Sequence, residues 1–164
     1  MERKHLTVTA EGLRSGELTA ADAAAPAAGI IDLTAGYVSY LADASLLNPE
    51  QLLTFAVINY VSEVSEGGHE RFLYDPAGML WREALTGLEE IGADDAADNL
   101  RSLCDRFDPE LPFDQSERVR LIEEQELWFD KEDELFRTHE SEIRAKLDEY
   151  VRRNAEAFEF DGEI

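Results

Sequence analysis

Apolar residues recur along this chain at steps of three and four, in blocks bounded by cap residues, prolines and glycines. That spacing confines each block to a helix, because residues three and four apart share one helical face. Asn48-Pro49-Glu50-Gln51 reads as a helix start, with an Asn cap, Pro at the first helical position and Gln at the third. Leu53, Ala56, Val57, Tyr60, Val61 and Val64 follow on one wide face, which predicts a central helix ending at Gly67-Gly68. Asp75-Pro76 opens a second block through Leu80, Trp81, Ala84, Leu85, Leu88 and Ile91, closed by Gly92. Asp94 is the cap candidate for a stripe of Ala97, Leu100, Cys104 and Phe107, and Pro109 and Pro112 mark a hinge. Asp114 with Glu117 forms a capping-box-like start. Thr138 or Ser141 starts a last helix with Ile143, Leu147, Tyr150, Val151 and Phe158 inward. Ile31, Tyr37, Val38, Leu41 and Ser45 outline a first amphipathic helix ahead of all these. No convincing strand pair is visible, although Leu6-Thr7-Val8-Thr9 has weak strand character. The expected fold is all-α, a compact bundle of about six helices.

The bundle is expected over residues 30–160 as a single acidic domain. Residues 1–29 are rich in Ala, Thr, Gly and Ser, with low complexity from Ala20 to Ala28, and read as a flexible N-terminal arm. Residues 161–164 read as a tail. The one cysteine, Cys104, excludes an internal disulfide and fits a reducing compartment. No apolar h-region follows Met1-Glu2-Arg3-Lys4-His5, and no apolar run approaches the roughly 20 residues that span a bilayer, so a cytoplasmic location is expected.

Charge narrows the functional classes. The chain carries 37 Asp plus Glu against 15 Lys plus Arg, a formal net charge of −22. Small domains are kept soluble by about 2–8 net charges, and an excess costs stability through self-repulsion. Such a polyanion repels nucleic acid and anionic membrane and attracts basic surfaces, the commonest of which bind DNA or RNA. The expected partner is therefore a basic DNA-binding protein, with no direct nucleic-acid or membrane contact.

The charge gains shape between Asp114 and Arg137. Leu121, Trp128 and Leu135 recur every seven residues, as do Ile122, Phe129 and Phe136, which predicts one apolar helix face interrupted by Gln125 and Glu132. A bend or break near Asp130 is compatible with those interruptions. On the opposite face Glu123, Glu126, Asp130 and Asp133 fall on one line, at steps of three, four and three. Those steps are roughly 4.5–6 Å at 1.5 Å per residue. Glu124 and Glu134 flank the line, and only Lys131 offers local neutralisation before Arg137. Like charges so spaced destabilise a helix by about 0.2–0.5 kcal/mol per pair. Two readings follow: a phosphate-mimicking surface for a basic partner, or a solvated face.

Enzyme chemistry finds little support in the residues. His5, His69 and His139 are far apart in sequence, and neither His69-Glu70 nor His139-Glu140 provides metal-ligand spacing. Glu66-Gly67-Gly68-His69 has Glu-x-x-His spacing, but the two glycines oppose a helix and no second copy exists. No phosphate loop, nucleophile elbow or nucleotide fingerprint appears. Cys104 beside Leu100 and Phe107 reads as a buried inert thiol, and Trp81 and Trp128 as core or interface anchors. No catalytic residue, metal or cofactor is expected.

The segment Glu63-Val64-Ser65-Glu66-Gly67-Gly68-His69-Glu70-Arg71-Phe72-Leu73-Tyr74-Asp75-Pro76-Ala77-Gly78 resembles the signature of the DMP-type acidic DNA-mimic protein family. That signature runs roughly Glu-Val-Asn-Asn-Gly-Gly-Phe, then an aromatic-rich Gln-Tyr-Phe-Tyr-Asn-Ser and a Gly. Glu89-Glu90-Ile91-Gly92-Ala93 and the stretch from Leu147 to Asn154 also resemble it, so the likeness spans about residues 31–158. His69 stands where the family prefers Phe, and Asp75-Pro76 replaces Asn-Ser. The resemblance implies an all-α fold and a protein that occupies the DNA-binding face of a helix-turn-helix regulator. Physically, Gly67 and Gly68 permit a sharp reversal that Phe72, Leu73 and Tyr74 pack onto the core, with Asp75 starting the next block. Glu63 and Glu66 are candidates to satisfy the loop amides.

These readings converge on a non-enzymatic acidic protein that mimics nucleic-acid charge. Its expected partner-binding residues are Glu123, Glu124, Glu126, Asp130, Asp133 and Glu134. The alternatives are an immunity-type inhibitor of a basic toxin nuclease, a helical domain with a carboxylate-based enzymatic site, and a plain acidic scaffold. The wide apolar faces and Trp128-Phe129 suit a homodimer.

Overall fold

The computed structural model describes residues 2–164. Its centre is α4 (Pro49–Tyr74), and the reason is visible where it starts. The Asn48 side chain accepts from the Gln51 N–H at 2.8 Å, and the Gln51 side chain accepts from the Asn48 N–H at 3.1 Å. That reciprocal box satisfies two of the orphan donors of a helix start. Phe55, Ala56, Val57, Tyr60, Val61 and Val64 are then buried. Gly67 and Gly68 leave helical geometry, Gly68 at φ +74°, but the expected helix end is only a kink: helix resumes beyond it to Tyr74 and buries Phe72 and Leu73. A side chain at Gly68 would be strained by its backbone and would meet the Asp133 carboxylate at 2.6 Å.

Around α4 pack α2 (Ala20–Ile30), α5 (Trp81–Glu90), α7 (Gln115–Glu124) and α8 (Asp130–Arg153), with α6 (Asp94–Cys104) bridging α5 and α8. Short 3₁₀ turns at Leu33–Ala35, Pro76–Leu80 and Ala155–Phe158, together with α1 (Ala10–Ser15) and α3 (Tyr37–Ala44), complete the helical shell. Gly87 lets α5 lie close on α4, since a Cβ there would lie 2.5 Å from a Val57 methyl. The fold is mostly helical as expected, with eight α-helices among the described residues instead of about six. No helix among them is long and apolar enough to cross a membrane.

The expected N-terminal arm is not an arm. Residues 5–30 form β1 (His5–Val8), α1 and α2. Thr19 and Asp22 make a complete capping box, and Ala23, Ala24 and Ala27 are buried beside Val8 and Leu13. Small side chains that look featureless in sequence let α2 lie close on α4 and α8. The expected tail is β2 (Phe160–Glu163), antiparallel to β1 with His5 opposite Glu163. Backbone bonds between Lys4 and Ile164, at 3.0 and 3.2 Å, join the two ends of the described chain.

The first amphipathic helix turns the other way from expectation. Tyr40 is buried, whereas Val38 is 82% and Leu41 49% exposed. Stacking of Tyr37 on Phe113, with ring centroids 4.4 Å apart, sets the rotation of α3.

Candidate partner-binding site

The acidic stretch is two helices, and the break compatible with Gln125 and Glu132 falls just before Asp130. Helix α7 ends at Glu124, and α8 begins at Asp130 with Phe129 at its N-cap position. The turn between them places Glu126 at φ +51°, outside helical geometry. Ile122, Phe129 and Phe136 are buried as the seven-residue repeat predicts, and so is Leu121. Trp128 and Leu135, from the same repeat, lie outside, at 68% and 38% exposure. The break separates the Trp128–Phe129 pair: Phe129 faces Phe107 inside while Trp128 faces solvent.

The break also dissolves the straight row of carboxylates. Glu123 and Glu124 end α7, Glu126 is on the turn, and Asp130 and Glu134 lie on α8. All five are exposed. Arg120 pairs with Glu124 at 2.9 Å and Glu117 at 2.6 Å. Glu123, Glu126, Asp130 and Glu134 form no ion pair among the described residues. Burial, then the charges of Glu123 and Glu70, raises the Tyr74 phenol above its ordinary value, which puts Glu123 beside the end of α4.

Asp133 does not belong to this surface. Its carboxylate accepts from the His69 N–H at 2.8 Å and from His69 Nδ1 at 2.6 Å. His69 is fully buried, and its Nε2 lies 2.7 Å from the Tyr60 hydroxyl. The Asp133 carboxylate can only accept, so Nδ1 donates to it and Nε2 is the atom that pairs with the Tyr60 hydroxyl. Burial raises the Asp133 carboxyl, but the His69 ring and amide hydrogen bonds outweigh it and hold it below the usual range. Asp133 thus ties the glycine kink of α4 to α8. It satisfies the loop amide that Glu63 and Glu66 were expected to serve, while those two pair with Arg71 at 2.9 and 3.1 Å.

Sequence reasoning missed Arg118, which is fully buried. Its guanidinium donates to the carbonyls of Leu73 at 2.9 Å, Phe113 at 2.6 Å and Asp75 at 2.8 Å. These include carbonyls where α4 ends, the negative pole of its dipole. Burial lowers the Arg118 pKa to about 10, against an opposing pull from Asp114. The segment expected as a structural loop is helical as far as Tyr74, and Arg118 holds its end: Phe72 is buried, Asp75 lends its carbonyl, and the Tyr74 carbonyl takes Gln115 Nε2 at 2.8 Å. Glu132, expected to interrupt the apolar face, is buried and paired with Arg106 at 2.8 Å.

Asp94 and Asp75 make no side-chain cap bonds, and α8 starts at Asp130, not at Thr138 or Ser141. Cys104 is partly buried, and burial pushes its thiol up to about 12. Among the described residues no three His, Cys, Asp or Glu side chains are placed to hold a metal ion together.

A family model described as DMP19-like protein matches residues 45–154. No curated protein and no solved structure matches the chain.

Proposed function

The chain belongs to the DMP19-like protein family, and from that premise we propose that it is an acidic DNA mimic that occupies the nucleic-acid-binding face of a basic protein. The observation that carries this reading is the exposed carboxylate cluster at the α7–α8 junction. Glu123, Glu126, Asp130 and Glu134 lie in solvent with no ion pair among the described residues, and Glu124 shares its charge with Arg120. A stabilising role would pair such groups, because unpaired like charges only repel. A DNA-binding groove that normally meets phosphates meets carboxylates instead. The mechanism is competition, and long-range attraction speeds the encounter. No step requires covalent chemistry or a cofactor. The natural setting is the cytoplasm, where a DNA-binding regulator is available.

The test begins with capture from a native lysate at about 50 mM salt, where electrostatic contacts are strongest. The expected result is a DNA-binding protein that duplex DNA displaces and raised salt releases. The double variant Glu126→Gln/Asp130→Asn should retain that protein several-fold less well. Retention unaffected by duplex DNA, or equal retention by the double variant, overturns the reading.

A further inference from the structure

The β1–β2 ribbon has open edges. Lys4 and Ile164 exchange both backbone hydrogen bonds, at 3.2 and 3.0 Å. Bonded and non-bonded pairs alternate along an antiparallel ladder. With His5 opposite Glu163 and Thr7 opposite Asp161, the next bonded pairs are Leu6–Gly162 and Val8–Phe160. The N–H and C=O groups of Asp161 and Glu163 therefore point away from β1, along the outer edge of β2. They have no hydrogen-bond partner among the described residues. Helix α2 leaves that edge free, because it lies against one face of the ribbon: a Cβ on Gly29 would meet the Ile164 side chain at 2.5 Å. Ile164 alternates onto the same face as Phe160 and Gly162.

Side chains select what can add there. Glu159, Asp161 and Glu163 alternate onto the other face, and all three are exposed. Glu159 forms no ion pair among the described residues. Asp161 accepts from the Thr7 hydroxyl at 3.1 Å and lies 2.7 Å from His5 Nε2; a hydroxyl and a neutral imidazole leave a carboxylate its charge. Arg3 reaches Glu163 only at 3.8 Å, from an 80% exposed side chain, a contact worth little. A recess of about 340 Å³ is lined by Glu159 and Asp161 together with Thr7, Val8, Thr9 and Phe160. Carboxylates beside apolar surface suit an aliphatic stem that ends in a cation, which is Lys or Arg. Two β2 strands cannot pair with each other, since antiparallel pairing sets carboxylate against carboxylate. A second copy's β1 has the right charge, but β1-to-β2 contact is head to tail and propagates, and it gathers chains of net charge −22 against their mutual repulsion.

We propose that the outer edge of β2 takes an extended basic segment of another polypeptide as a third strand, its backbone bonded to Asp161 and Glu163 and its alternate Lys or Arg side chains set against Glu159, Asp161 and Glu163. Strand addition to an open edge is a recurring mode of peptide capture, and a two-stranded ribbon, marginal by itself, gains a neighbour. The site is separate from the α7–α8 carboxylates. Its main-chain bonds demand an extended occupant, which charge mimicry does not.

Two synthetic peptides of alternating Arg and Val test it. The second carries N-methyl groups on its central amides, which keeps the charge and removes the strand donors. Each is titrated into the full chain in about 0.1 M salt, which screens long-range attraction, followed by amide NMR shifts and hydrogen exchange. The unmodified peptide should bind, shift amides of β2 and slow exchange at Asp161 and Glu163. N-methylation should weaken it about tenfold or more, as loss of one or two hydrogen bonds does. Glu163→Pro removes one edge donor and none of the ladder donors, and should weaken the unmodified peptide well beyond the charge-only variant Glu163→Gln. Equal affinity of the two peptides, or equal effects of the two variants, reduces the contact to charge and overturns the third strand. Shifts confined to α7 and α8, or no binding by the unmodified peptide, overturn the site. Open-ended self-association of the chain alone, lost in Glu163→Pro, makes a second copy's β1 the occupant and overturns the proposal as well.

Discussion

Replacing Asp133 should damage the fold and spare binding, although Asp133 stands in sequence line with the exposed carboxylates. Its carboxylate accepts from the His69 N–H at 2.8 Å and from His69 Nδ1 at 2.6 Å. Asp133→Ala strands both donors. Each buried donor left without a partner costs about 1–3 kcal/mol. The Asp133 side chain is 20% exposed, so water can reach the vacancy in part. The expected loss is therefore about 2–4 kcal/mol, a large share of the roughly 5–15 kcal/mol that holds a domain together. At about 2–4 °C per kcal/mol for a chain of this size, Tm should fall by roughly 5–15 °C. Asp133→Asn keeps an acceptor oxygen and loses only the charge, for about 1–2 kcal/mol. Urea unfolding followed by circular dichroism measures both. The carboxyl is held below its ordinary value in the fold. Its contribution is thus fully present above the unfolded pKa near 4 and disappears as pH falls through the folded value. Asp133→Asn should flatten that acid limb. Affinity for a cationic peptide should stay within about twofold of wild type, since a partly buried, internally bonded carboxylate offers little to a partner. An unchanged urea midpoint in Asp133→Ala, with binding weakened as much as in Asp130→Asn, would refute the reasoning.

Two other outcomes follow from buried groups. Arg118→Ala removes donors to three carbonyls and should cost about 3–5 kcal/mol in a urea melt, with Arg118→Lys recovering only part because an ammonium lacks the planar fork; a loss below about 1 kcal/mol would mean that water serves those carbonyls equally well. Burial pushes the Cys104 thiol up to about 12, so at pH 8 a disulfide reagent should label it far more slowly in the native chain than in urea, and equal rates would contradict its burial.

The parts of the fold that could be read in the sequence are those whose causes lie a few residues apart. The Asn48–Gln51 box, the apolar face of α4 and the kink at Gly67–Gly68 are each complete within one or two turns. The same locality explains the misreadings. Ala23, Ala24 and Ala27 look featureless until α4 and α8 come to lie against α2. A seven-residue repeat from Leu121 to Leu135 continues across a helix break, because periodicity records which residues are apolar and not where the backbone turns.

The candidate site divides along the same line. Composition alone determined the polyanionic character, and the spacing of carboxylates pointed to the stretch from Glu123 to Glu134. Tertiary structure decided which of them stay exposed. Asp133 is withdrawn by His69, 64 positions away, and Glu132 by Arg106, 26 positions away, while Glu126 and Asp130 stay in solvent. Arg118 finds its carbonyls 43 and 45 positions upstream. Local free energies of capping and patterning are encoded by neighbours in the chain. The burial and pairing of a charge depend on groups that only folding brings within hydrogen-bond reach.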